Sequence, residues 1–409
     1  MDASFYNNFI TGLAAQENQI ATLQQQISTG STATTAAQNP AAYETATLAN
    51  DQISQLTDDA TTQGNMQTQL GAATSAYSAM SSLLDNVQSV VLQGLNGTAS
   101  AQNLNAIATQ VQSASQQLLA LGNTQAPNGS YLFGGSRGGV RPFQANSSGT
   151  INYYGDSAQS QATIGSGITA NTLVNGSVFT SALAGDGTSV VSANSTNQGT
   201  GQILQQGIMN VQAAEAFQQS STSTPIVVTF TVADGKTTYS ASQVGNNTPL
   251  ATGTLNTASG ATTTLQVAGT NYAISGHPAD GDTFSITPAR PQSAFSLLQT
   301  ISNDLTASRA TPAQVAKTNQ SLNQALAGLS QYQQAVTTAQ AQNGVTLQAL
   351  NTAATTTSTQ KNNAQAAITN ATAVNMPAAI TALNDTMTAV EASMKTFAEA
   401  QSLSLFKYL

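Results

Sequence analysis

The 409 residues include no Cys, no Trp and a single His, and only 6% are charged. This excludes disulfides, thiolate metal centres and any metal site built on two histidines. Nine Lys and Arg against seventeen Asp and Glu give a net charge of -8, which argues against a nucleic-acid partner and against an anionic membrane. A hydrophobic fraction of 40%, much of it Ala, suits narrow helical cores.

The start Met1-Asp2-Ala3-Ser4-Phe5 has no basic stretch followed by an apolar run, so no cleaved signal peptide is expected. No stretch reaches membrane-spanning length. The missing Cys and the wealth of Ser, Thr, Asn and Gln nevertheless suit an extracellular protein, which points to export by a route without a cleaved signal.

From the N-terminus, Phe9, Leu13, Ile20, Leu23 and Ile27 recur at three- and four-residue steps, which predicts an amphipathic helix ended by Gly30. Asn39-Pro40 reads as a cap and first turn for a second helix. Leu70, Ala73, Tyr77, Met80, Leu84, Val87 and Val91 keep strict heptad spacing, so this helix needs a partner. Gly94 and Gly97 break it, and Leu104, Ile107, Val111, Leu118 and Leu121 predict a return helix ending at Gly122. The whole stretch to about residue 136 reads as helical.

The middle of the chain changes in kind. Pro225 to Val232 is a strand pattern closed by Asp234-Gly235, a hairpin signal with Thr237 to Ser240 as its return. Further strands are predicted at Thr262 to Val267, Tyr272 to Ser275 and Thr283 to Thr287, and residues 201 to 219 fit either a helix or a strand pair. Helix resumes with Phe295, Leu298, Ile301 and Leu305, restarts at Thr311-Pro312, and continues with Leu322, Leu326, Leu329 and Val336. The last helix carries Ile380, Leu383, Met387, Val390, Met394 and Phe397 at successive heptad positions and runs into Leu403, Leu405, Phe406 and Leu409.

The fold class is therefore α+β and multidomain, a helical coiled-coil rod made by the two ends of the chain with an inserted antiparallel β-rich domain. The expected division is residues 1–39 with 395–409 as terminal assembly helices, 40–145 with 292–394 as the rod, and 146–291 as the outer β domain. Stripes that reach the chain ends leave Phe5, Phe9, Phe406 and Leu409 either for a neighbouring subunit to cover or for disorder of the ends in the monomer before assembly. The ends also differ in sign, because the first Lys or Arg is Arg137.

Catalytic chemistry is nearly absent, and the protein reads as no enzyme with no cofactor. His277 lies in the turn-like Ser275-Gly276-His277-Pro278. Gly134-Gly135-Ser136-Arg137-Gly138-Gly139 lacks the Lys followed by Ser or Thr of a phosphate loop. Asp280 and Asp282 sit in turn-rich sequence better suited to loop bonding than to paired-acid catalysis.

Four stretches stand out: Leu23-Gln24-Gln25-Gln26-Ile27-Ser28-Thr29-Gly30 with Asn39-Pro40; Asn128-Gly129-Ser130-Tyr131-Leu132-Phe133-Gly134-Gly135 with Pro142-Phe143 and Tyr154-Gly155-Asp156; Gly281 to Pro288 with Phe295 to Leu298; and Ala378 to Leu409. In this order they resemble the flagellin-like axial proteins. The family opens on Met-Arg-Ile and spreads Arg along its N-terminal helices, whereas this chain begins Met1-Asp2-Ala3. The resemblance implies a structural subunit of the bacterial flagellum, set between hook and filament. It further implies self-association in a ring, a hook-associated protein and flagellin as neighbours, and an export chaperone. Flagellin itself, or a helical-stalk surface or phage adhesin, are the alternatives.

Overall fold

The computed structural model describes the chain except residues 1–2, 97–98, 159–160, 166–167, 172–173, 221–223, 247, 259 and 407–409, and gives the backbone alone at 3, 5, 168 and 402–406. The chain runs through helices α1 (Ala3–Thr29), α2 (Pro40–Gly94) and α3 (Ala101–Gly122), and then strands β1 (Phe143–Ala145), β2 (Ile151–Tyr153), β3 (Gln161–Gly165) and β4 (Ile168–Asn171). The short α4 (Ser177–Thr180) precedes β5 (Ser189–Ala193), β6 (Gln202–Ile208) and α5 (Val211–Gln219). After them come β7 (Ile226–Ala233), β8 (Lys236–Gln243), β9 (Ala251–Thr254), β10 (Thr263–Val267), β11 (Thr270–Ser275) and β12 (Thr283–Pro288), and the chain closes with α6 (Ala294–Thr306), α7 (Pro312–Thr372) and α8 (Met376–Phe406). Two compact units result: residues 1–64, 163–168 and 351–409, and residues 65–162 and 169–350.

The first unit holds both ends of the chain. Gly30 takes a φ of +68°, a left-handed stop that a side chain would disfavour. The corner after it is clipped to the corner between α7 and α8, with Thr32 N–H donating to Thr372 C=O at 2.7 Å and Val374 N–H to Gly30 C=O at 3.1 Å. Both helices that leave these corners have Asn caps. Asn39 Oδ1 accepts from Ala42 N–H at 3.2 Å ahead of α2, and Asn375 Oδ1 accepts from Ala378 N–H at 3.2 Å ahead of α8.

The second unit has a helical core. Every residue of the heptad stripe from Leu70 to Val91 is buried. It packs with Leu104, Ile107, Val111 and Leu118 of α3, Phe295, Leu298, Ile301 and Leu305 of α6, and Leu322, Leu329, Tyr332 and Val336 of α7. Pairs such as Gln340 with Ser78 and Gln333 with Asp85 show α7 running antiparallel to α2 here. Burial pushes the Tyr77 phenol up to about 12 and raises that of Tyr332, whose hydroxyl donates to Gln292 C=O.

Strands β5 to β12 of this unit surround a second core containing Phe230, Tyr272, Phe284 and Ile286, whereas Phe143 of β1 joins the helical core. One sheet has the order β5-β12-β7-β8-β9 and another β10-β11-β6, with every pairing antiparallel. Their edges meet at two seams, β9 beside β10 and β5 beside β6. At the second seam α7 supplies what a further strand would. Gln320 accepts from Ile203 N–H at 2.9 Å and donates to Ile203 C=O at 2.7 Å, and Gln324 accepts from Val191 N–H at 2.7 Å.

The predicted helices and the hairpin at Asp234-Gly235 are present. Residues 201 to 219 are neither a helix throughout nor a strand pair but strand β6 followed by helix α5. α3 ends at Gly122 as expected, where Asn123 caps it and its Nδ2 donates to Phe143 C=O at 2.9 Å, but the rest of the stretch to about residue 136 is turn and loop and not α-helix. Strands β1 to β5 and β9 fall in the stretch expected to be β-rich, but the sequence does not place them individually.

Candidate assembly surface

α1 and α8 pack against each other, and the contact is anchored by Phe9, whose ring stacks on Phe397 with centroids 4.0 Å apart. Tyr6 leans on the same Phe397 ring at 6.0 Å. On α1 the predicted stripe is the half-buried face: Phe9, Leu13, Ile20, Leu23 and Ile27, with Gln16 completing it.

On α8 the predicted stripe divides. Leu383, Val390 and Phe397 are half-buried, whereas Ile380, Met387 and Met394 remain 46%, 45% and 50% exposed. The alternate inward places belong to Ala379, Thr386, Ser393 and Ala400. Small side chains let two helices approach closely, and 3.6 residues per turn put the larger neighbours one position round the cylinder. Sequence reasoning chose the bulkiest residues and so missed these four. Their signal was the same seven-residue spacing in Ala, Thr and Ser. Leu403, Leu405 and Phe406 lie on the backbone of α8, but their side chains, like all of Leu409, fall outside the described residues.

The loop from Tyr131 to Gly135 is an internal brace. Leu132 and Phe133 are fully buried, Phe133 meets Tyr77 at 5.6 Å and Phe179 at 5.1 Å, and Tyr131 N–H donates to Gly138 C=O at 2.7 Å. Gly135 needs its φ of +64°, and a Cβ there would strike Asp156. The Asp156 carboxylate accepts from Ser136 N–H at 2.8 Å, from the Ser136 hydroxyl and from Ala158 N–H at 3.1 Å, and the Ser136 bonds hold its carboxyl below the usual range. The Tyr153 hydroxyl accepts from Gly176 N–H at 3.0 Å and lies 3.0 Å from Phe133 C=O. Burial raises its phenol.

The remaining polar candidates are loop fasteners. Asp282 is buried and accepts from Gln198, Gly199 and Ala279 N–H groups, and Asp280 accepts from Val232 N–H at 2.9 Å. His277 C=O accepts from Thr200 N–H at 2.8 Å, and His277 N–H donates to the Thr200 hydroxyl oxygen at 3.2 Å. Among the described residues no group of three His, Cys, Asp or Glu could hold a metal ion, and no helix is long and apolar enough to cross a membrane.

Long helices with an inserted β region, and chain ends paired through α1 and α8, are the architecture of the flagellin-like axial proteins. Residues 3–137 match the bacterial flagellin N-terminal helical region. The solved structures that the chain is similar to are of the hook-filament junction type. The chain is similar to FlgL of Xanthomonas campestris at 25% identity and a TM-score of 0.68, over 78% of this chain and 97% of that one. The flagellar junction protein FlgL of Legionella pneumophila has the same fold at 24% identity and a TM-score of 0.66, over 75% of this chain and 98% of that one. No curated protein sequence matches the chain.

Proposed function

We infer that this non-catalytic subunit joins hook to filament by packing its paired terminal helices against those of neighbouring copies in a ring. The observation that carries this reading is the seam of Ile380, Met387 and Met394, three large apolar side chains at heptad spacing that pairing with α1 leaves near half exposed. Tyr6 and Ile10 add to the same kind of surface on α1, at 50% and 44% exposure. Exposed apolar residues spaced for a helical partner suit an interface between subunits. Repeated head-to-tail contacts of this sort generate rings or helical tubes.

On this reading residues 1–39 and 395–409 are the terminal assembly segments, residues 40–145 and 292–394 the rod, whose last stretch extends the assembly surface through Ile380, Met387 and Met394, and residues 146–291 the outward domain. The axial neighbours are a hook-associated protein and flagellin, a dedicated chaperone guards the ends before export, and the site of action is outside the cell. The test is a strain whose only copy carries Ile380→Ser, Met387→Ser and Met394→Ser. Hooks without filaments, with flagellin shed into the medium, are expected, and normal filaments would overturn the reading. Immunogold label on the native protein should mark one band, whereas label along the filament would make the chain a filament subunit.

A further inference from the structure

The α2–α7 contact in the first unit contains a polar residue where its heptad calls for an apolar one. Gln63 lies seven positions before Leu70 and is only 3% exposed. Its Nε2 donates to Thr357 Oγ1 on α7 at 3.0 Å and to the carbonyl of Ile164 on β3. Thr357 is itself buried, again on a heptad position, seven after Leu350. Ile164 has no exposed surface, and a Cβ placed on Gly165 would touch Ala353 of α7 at 3.9 Å. The end of β3 therefore lies across both helices, fastened to α2 and packed on α7. Gln63 Oε1 is buried with no partner, so the side chain does not owe its place to a complete set of bonds.

A buried polar side chain in a helical seam contributes little net stability but forbids displaced pairings, which would leave its donor unmet. We propose that the end of β3 is a strap, pinned by Gln63, that fixes the register of α2 against α7. Thr57 and Lys361, joined at 3.0 Å, report the register so fixed. A slip of one heptad moves a helix by about 10 Å, far enough to exchange one cross-linking partner for another.

The absence of native Cys makes the test clean. In the full chain, Thr57→Cys is combined with Lys361→Cys or with Ile368→Cys and treated with a short bis-maleimide, with and without Gln63→Leu. The parent should cross-link only in the first pair. Gln63→Leu should keep its helical circular dichroism, give both cross-links, and speed amide exchange at residues 163–165 by about tenfold. A single cross-link and unchanged exchange in Gln63→Leu would overturn the proposal. Should that variant lose its helix, Thr357→Val, which removes one acceptor at nearly constant shape, carries the same readouts: the second cross-link above background supports the strap, and its absence refutes it.

Discussion

The stripe of α2 from Leu70 to Val91 and the stripe of α8 from Ile380 to Phe397 obey the same heptad rule and meet different fates. The first is buried throughout among α3, α6 and α7. The second buries part of three large residues against α1 and turns three others outward. A helix surrounded by several others can bury a broad face, whereas a helix with one partner buries a narrow one. Heptad spacing thus identifies a surface that wants covering, and the number of neighbouring helices decides whether the chain itself covers it.

Substitutions should separate the two stripes by size of effect. Leu84→Ala, at a fully buried position, should cost about 2–5 kcal/mol in urea unfolding followed by circular dichroism. A loss below about 1 kcal/mol would mean that the α2 stripe is no better covered than that of α8. Phe397→Ala removes the stacked partner of Phe9 from a half-buried place and should cost about 1–2 kcal/mol, seen as lost helix in the terminal pair. Met387→Ser alone should change monomer stability by no more than about 0.5 kcal/mol; a larger loss would show that the chain already covers this seam.

The corner between α6 and α7 gives a pH-dependent version of the same contrast. Burial raises the Asp304 carboxyl above its ordinary 3.8, although a Ser321 bond and the Arg309 charge oppose the change. A folded-state pKa above the unfolded one means that the native protein holds the proton more tightly, so this group's contribution to stability falls as pH rises from 3.8 through the folded value. Asp304→Asn should therefore be more stable than the parent near neutral pH, and the gain should vanish in acid. A gain independent of pH would assign the effect to packing.

The sequence made the helices legible because their apolar residues recur over many turns, and β7 and β8 because a β-branched run meets Asp-Gly. It hid β1 to β5 and β9, where segments of three to five residues have too few side chains for a period to emerge. The Tyr131 to Gly135 loop was visible only as a likeness. Its physical basis is two buried aromatic anchors and a glycine that leaves room for Asp156, twenty-odd residues away in the chain. Gln63 and Asn343 were missed because polar residues do not count toward an apolar stripe, although each keeps heptad step with its neighbours, Asn343 following Val336 by seven and donating to Leu70 C=O at 2.8 Å.

The glutamines of α7 bear on how such a protein behaves in a crowd of identical copies. An open strand edge is a template for any other chain with an open edge, and a polymer brings the same edge together many times over. By occupying Ile203 and Val191 with side-chain amides, a helix denies that template to neighbouring molecules. At this seam at least, attraction between copies is left to helical surfaces, where geometry can limit growth, and not to a strand edge, from which misassembly would spread as fibres.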